Sequence, residues 1–478
     1  MHRDECEMVR AVFLPRPVAA EGAALHWDGT EAPARVLAAL ERVGATHLVA
    51  DGGLLARLRA DPAAPLTDLA AVRDVELVGS GITAAEVTAL FPEAAVREAA
   101  VREAAGREAA VRPVPADVVA AAAAEAGDVP GMPSLGATRE LVRRLDAAVL
   151  LSMLRALQAG GRLTDPGRAD AVAAVVASVR VAEPHVALVN RWLGELAAAG
   201  RLARAVDGYR GAPAVAPAVE AAAWDDAERA WAAGFGGPGF VAYLRRNAER
   251  LGELLTGELT AVSLLFPQGR TTIADAVYRD TVTARYLNAA IAGAVRAIAA
   301  TGRRRVLEVG AGTCATSEVV LAAVPGLDYT VTDVSAFFLA GARSRLRDVR
   351  FAVLDVQRPP AEQGFAAGCT DVVVAAGVLN AAADAAAAVR GLATLLSPGG
   401  WMLVSEPTRE HLEILASQAF MMSPPRDARA RTGTTFLDRA QWTAVFDGAG
   451  LELRAILPGE DHPLAPLGQR LFLVHAPG

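Results

Sequence analysis

The chain has 478 residues, 53% of them hydrophobic but only 5% aromatic, and carries a net charge of −7. At roughly 150 residues per domain that length accommodates about three domains, each able to bury its own core without disulfide or metal support. All 47 basic residues are arginine, which excludes a P-loop lysine, a Schiff-base lysine and a lysine general base, and the acidic balance argues against broad nucleic-acid binding.

The opening MHRDECEMVRAVFLP lacks the apolar core and cleavage site of an export signal, and the longest apolar run, Asp371 to Val389, is broken by Asn380 and Asp384. A cytoplasmic protein without membrane spans is expected. Cys6, Cys314 and Cys369 form no CxxC pair, so no metal site is expected.

Residues 1–92 alternate short apolar runs with helical patterns. RVLAALERVG reads as a helix ending at Gly44, THLVAD as a strand and ITAAEVTALFP as a helix stopped by Pro92. Together they predict a small α/β unit. Residues 93–135 open with EAAVREAAVREAAGREAAVR, whose strong helix formers and alternating charge predict an exposed helix or semi-rigid spacer, followed by a Pro/Gly linker.

Residues 136–245 place apolar side chains at helical spacing, with stops at Gly160, Gly161 and Gly200, and predict a helical, winged-helix-like domain. Lacking a basic recognition helix, it suits protein contact or substrate covering better than DNA. His185 and Trp192, two helical turns apart, are expected in its core. Residues 246–300 predict connector helices that include Tyr278 and Tyr286.

The last region, 301–478, is the most informative. In RVLEVGAGT a buried strand runs into a turn at Gly310 and Gly312 and then a helix, a pattern that lets backbone and free helix amides approach a ligand. Further strands follow at regular intervals, ending near Asp333 (TDVS), Asp355 (LDV), Asn380 (VLN) and Glu406 (VSEP). Carboxyl ends of parallel strands line the ligand crevice of an open α/β sheet, so three acids and an amide should converge there.

With the acid before the turn in LEVGAGT, the TDVS acid, the LDV segment and the PGG turn, residues 301 to about 408 resemble class I S-adenosylmethionine-dependent methyltransferases. More narrowly, TDVSAFFLAGARSRL, VLN and VSEPT resemble methyltransferase domains embedded in polyketide and nonribosomal peptide synthetases. That likeness extends upstream to about Arg139. It implies a Rossmann-like seven-stranded sheet with S-adenosylmethionine as cofactor. Glu308 would lie near the methionine amino group, with Gly310 and Gly312 under the cofactor. Asp333 with Val334 would hold the ribose, Asp355 with Val356 the adenine, and Tyr278 and Tyr286 would close over the sulfonium.

The sequence departs from the pattern twice. Cys314 stands where glycine is common, and Asn380 stands where carbon-methylating polyketide domains carry histidine paired with a glutamate at the position of Glu406. An amide cannot serve as a base, so Glu406 is the expected base, with Asn380 positioning the acceptor and His411 in reserve. Methylation at nitrogen, oxygen or an already acidic carbon of a small or carrier-protein-bound intermediate is the activity implied. A SAM-dependent cyclisation or elimination and a catalytically degenerate scaffold are the alternatives. Neither nucleic acid nor membrane is an expected partner, and a homodimer is compatible with the pattern.

Overall fold

A computed structural model describes residues 116–477 throughout and, before them, 9–13, 23–26, 47–61, 74–78, 84–92 and 95–98 with three single positions. The chain divides into two compact units, Met1–Arg112 and Pro113–Gly478. The first contains a parallel sheet of β1 (Val9–Phe13), β2 (Ala23–His26), β3 (His47–Asp51), β4 (Asp74–Val78) and β5 (Ala95–Glu98) in the order β2-β1-β3-β4-β5. Helices Gly52–Ala60 and Ala84–Leu90 follow β3 and β4, as an α/β unit requires. The repeat read as helical differs at its start. Ala95–Glu98 is strand β5, with Val96 and Glu98 in register with Val75 and Leu77 of β4; the backbone partner offered by β4 overrides the local helix preference of Ala, Glu and Arg. The later copies lie outside the described residues.

The second unit opens with helices Ala116–Gly127 and Leu135–Gln158, the latter capped by Ser134, whose hydroxyl accepts from the Ala137 amide at 3.1 Å. The winged-helix-like region pairs helices Val172–Ser178 and Val186–Ala198 with an antiparallel sheet of β6 (Ala169–Asp170), β7 (Ala203–Ala205) and β8 (Gly208–Arg210), ordered β6-β8-β7. Trp192 is buried as expected and donates from its indole to the Leu415 carbonyl at 3.1 Å, while the half-buried His185 lies edge-on to Phe420 at 5.0 Å. These contacts seat the helical region on the short helical turns Leu412–Leu415 and Gln418–Met421.

That sheet has seven strands: β9 (Arg305–Val309), β10 (Asp328–Asp333), β11 (Arg350–Val353), β12 (Thr370–Ala376), β13 (Leu396–Pro407), β14 (Glu452–Leu457) and β15 (Gln469–His475). Their order is β11-β10-β9-β12-β13-β15-β14, with β15 alone antiparallel to both neighbours. Alternation along each strand sorts residues between two cores. Val372, Val374, Trp401 and Leu403 join one that includes the Val282–Ala300 helix, while Val373, Ala375, Met402 and Val404 join the other with helix Ala385–Ala393.

Because both faces are apolar, hydrophobic pattern alone sets register weakly. Asp371 supplies the missing constraint. It accepts from Arg305 Nη2 at 2.7 Å, the Arg305 amide at 3.1 Å and Ser397 Oγ at 2.9 Å, joining the starts of β9, β12 and β13. Burial pushes its carboxyl up, but these bonds outweigh it and hold it at about 2. With register anchored there, Glu308 lies opposite Val374, and Ala376 opposite Ser405, at the carboxyl ends. Among the described residues no helix is long and apolar enough to cross a membrane.

Candidate functional site

The turn after β9 is built on left-handed backbone at Gly310 (φ 63°) and Gly312 (φ 52°). A Cβ on Gly310 would fall 2.4 Å from Val378 Cγ2, so the turn and the loop after β12 can meet only at glycine. On Gly312 the nearest atom would be the Gly310 carbonyl oxygen at 3.9 Å, which leaves open space above the turn. Cys314, at φ 63°, is left-handed too, which explains the glycine common at this position. Its side chain is buried in the core below, and burial pushes its thiol up to about 12. It packs away from the turn as an inert apolar group.

Asp333, 5% exposed at the end of β10, accepts from the Gly312 amide at 3.0 Å and the Ser335 amide at 2.8 Å. It thus braces the turn and keeps carboxylate lone pairs for a ligand. Glu308 is 2% exposed and accepts from Ser317 Oγ and from the Tyr329 hydroxyl at 2.9 Å. Burial, aided by Asp333's charge, pushes it up to about 7 against those two bonds. Asp355 is half-buried beyond β11 and accepts from the Gln357 amide at 2.9 Å; Val356 packs on the second core and Val334 is exposed. Asp333 and Asp355 are linked through the Leu354 amide, which donates to the Asp333 carbonyl at 3.3 Å.

The structure brings Asn380 and Glu406 together. Glu406, 1% exposed, accepts from the amides of Val378 at 2.8 Å and Leu379 at 2.6 Å and from Asn380 Nδ2 at 3.0 Å. Desolvation outweighs those donors and pushes its carboxyl up to about 7. Both donors of Asn380 are used, since Nδ2 also donates to the Pro407 carbonyl at 3.0 Å, and Oδ1 accepts from the Leu437 amide at 3.2 Å through one of its two lone pairs.

The side chains of Asp427 and Arg429 are interior. Arg429 is 2% exposed and donates to the carbonyls of Asn380 and Ala382 and to both oxygens of Asp427. Nothing in the local spacing of PPRDARAR distinguishes an internal guanidinium from a solvated one.

Above the sheet, Tyr278 keeps 41% of its surface open, yet burial and the charge of Glu406 push its phenol up. Tyr278 thus stands close enough to Glu406 to feel its charge. Tyr286 is not placed with it: only 4% exposed, its ring packs 4.7 Å from His462. Sequence reasoning also missed how the Tyr278 helix is tied down. Arg279 pairs with Glu318 and donates to the Thr313 carbonyl at 3.1 Å, and Arg345 donates to the same carbonyl at 3.1 Å and reaches Asp275 at 3.5 Å. The glycine turn and helix Thr272–Tyr278 are therefore held as one.

His411 lies apart from the Asn380–Glu406 pair, grouped with Asp146 and Glu413 so that one donor atom of each lies within 4.8 Å of the others. Burial, with the charge of Asp146, pushes Glu413 up to about 8, so at neutral pH this acid holds a proton.

This strand-end surface suits an adenosyl ligand with a cationic tail. It offers a turn too tight for any side chain at Gly310, open space over Gly312, a braced carboxylate at Asp333 and an enclosed carboxyl at Glu308. Residues 307–402 match a family described as "Methyltransferase domain". Over 343 residues, 66% of this chain, the sequence is 36% identical to pyochelin synthetase PchF of Pseudomonas aeruginosa, whose length the match spans for only 18%. Among solved structures, the CurJ carbon methyltransferase superposes with a TM-score of 0.68 at 24% identity, covering 76% of this chain and 100% of that one. The DszA carbon methyltransferase gives 0.62 at 25% identity, covering 74% and 96%.

Proposed function

Starting from a chain that carries a class I S-adenosylmethionine-dependent methyltransferase domain, we propose that it methylates a nitrogen, an oxygen or an already acidic carbon of a biosynthetic intermediate, free or held on a carrier protein in the cytoplasm. The observation that carries this reading is Asn380. Both its donors are used by Glu406 and Pro407 and its oxygen accepts from Leu437, and an amide at this position cannot take a proton from a reluctant carbon.

The cofactor supplies an electrophilic methyl group on a sulfonium. Asp333 would accept from the ribose hydroxyls, the Gly310–Gly312 turn would lie beneath the cofactor, and Asp355 with Val356 would border the adenine. Glu308 meets the amino group, whose positive charge favours the ionised carboxylate. Tyr278 offers its ring to the cationic sulfur. Glu406 receives the acceptor's proton at Oε2, whose one protein donor is Asn380. Poised near 7, it matches a base working at neutral pH. His411, grouped with Asp146 and Glu413, stands in reserve as a second base.

The DszA carbon methyltransferase among the structural matches favours a second reading, transfer to carbon, a simple acyl chain included. The two are separated with methyl-deuterated cofactor and N-acetylcysteamine thioesters carrying a secondary amine, a hydroxyl, a 1,3-dicarbonyl or a simple acyl group. Label on the first three, with S-adenosylhomocysteine released, is expected; label on the simple acyl carbon would favour the second reading. Glu406→Gln should lower turnover by about 10² to 10⁴ at constant cofactor affinity.

A further inference from the structure

The loop Gly377–Ala383 presents three donors to Glu406, yet its only regular element is one short turn, Leu379–Ala381. Its conformation is imposed from a segment about fifty residues downstream. The Arg426 amide donates to the Ala383 carbonyl at 2.6 Å, the Leu437 amide to Asn380 Oδ1, and Asp427 accepts from the Ala385 amide at 2.9 Å. The centre of this grip is the Arg429 guanidinium, which holds the Asn380 and Ala382 carbonyls while pairing through two nitrogens with Asp427.

Burying a guanidinium carries a desolvation penalty of several kcal/mol. An arrangement that spends it on two loop carbonyls calls for an explanation in what those carbonyls position. We propose that Arg429 is a positioning residue: by gripping the Asn380 and Ala382 carbonyls it keeps the Val378, Leu379 and Asn380 donors on Glu406 and so sets the acidity of that carboxyl. The inference deepens the reading of Glu406 as the base.

Other groups around Glu406 leave this role to the loop. Tyr278 stands near it on helix Thr272–Tyr278 and, when ionised, would oppose its charge. Arg470, its cross-strand partner on β15, directs Nη1 to the carbonyls of Ala465 and Gln469, each at 3.1 Å. The loop supplies three hydrogen bonds that favour the Glu406 carboxylate, from the Val378 and Leu379 amides and Asn380 Nδ2. If the loop relaxes, desolvation is left less opposed and Glu406 becomes a weaker acid.

The test needs no substrate. In protein labelled with ¹³C-glutamate, the carbonyl stretch of protonated Glu406, identified by its loss in Glu406→Gln, is titrated by infrared difference spectroscopy. Arg429→Gln should raise its midpoint by about one pH unit or more, the scale of losing hydrogen bonds to a charged carboxylate. Arg429→Lys, which can serve the carbonyls but not grip Asp427 with two nitrogens, should raise it less. Asp427→Asn, which keeps the guanidinium but weakens its anchor, should shift it in the same direction and covers the case of an Arg429 variant that does not fold.

Variants that fold with lowered urea midpoints and an unmoved Glu406 titration would make the clamp merely structural and overturn the proposal. Full turnover in Glu406→Gln would instead refute Glu406 as base, an outcome the titration does not depend on.

Discussion

Replacing Gly310 by alanine tests the geometry of the turn directly. At φ 63° an alanine pays the left-handed penalty, about 1 to 2 kcal/mol. Its Cβ would also sit 2.4 Å from Val378 Cγ2 and 3.0 Å from Val378 Cβ. Rotating the valine cannot relieve the second contact, so the loop backbone must move, and overpacking of this kind adds about 1 to 3 kcal/mol. The loss of stability should total about 2 to 5 kcal/mol, less a few tenths for the stiffer unfolded chain. Because the Val378 and Leu379 amides hold Glu406, the same movement should weaken turnover. Gly312→Ala is the control. It carries the left-handed penalty alone, about 1 to 2 kcal/mol, but points its methyl into the open space assigned to the cofactor. Urea denaturation and calorimetric titration with S-adenosylmethionine should show the two variants crossing over: Gly310→Ala the less stable, Gly312→Ala stable enough to fold but poor at binding. Equal urea midpoints would refute the close approach to Val378, and unimpaired binding by Gly312→Ala would refute the cofactor's place above the turn.

Asp333→Ala should weaken S-adenosylmethionine binding by about 2 to 3 kcal/mol, the scale of charge-assisted hydrogen bonds, since it removes both the ribose acceptor and a brace on Gly312; calorimetry giving wild-type affinity would move the ribose elsewhere. Glu308 and Glu406 are both raised in the folded state from 4.5 to about 7, so the native protein binds more protons than the unfolded chain between those values. Their stabilising contribution is complete below about pH 4.5 and is lost as pH rises through 7, by up to about 3 kcal/mol for each enclosed acid. The urea midpoint should therefore fall between pH 5.5 and 8.5, less steeply in Glu406→Gln; a midpoint that rises over this range contradicts the assignment.

Local pattern made much of this molecule legible. The apolar run before Asn380 announced a strand, the glycines at 310 and 312 announced a turn that a ligand could approach, and the acids at 308, 333 and 406 stood where parallel strands end. Each of these is a short-range property, in which a side chain's character and its offset from a strand end or turn suffice. What the sequence could not disclose depended on partners distant along the chain. Ala95–Glu98 became a strand because β4 was there to pair with it, and Tyr286 turned to His462 while Tyr278 stayed near Glu406, although both lie in neighbouring helices. Asn380 appeared free to hold a substrate until folding supplied Pro407 and Leu437 to occupy it. Arg429 shows the limit most clearly. In sequence it is one arginine among 47, and only tertiary structure brings two loop carbonyls and Asp427 around it, because a buried charge is tolerable only where many separate segments converge to satisfy it.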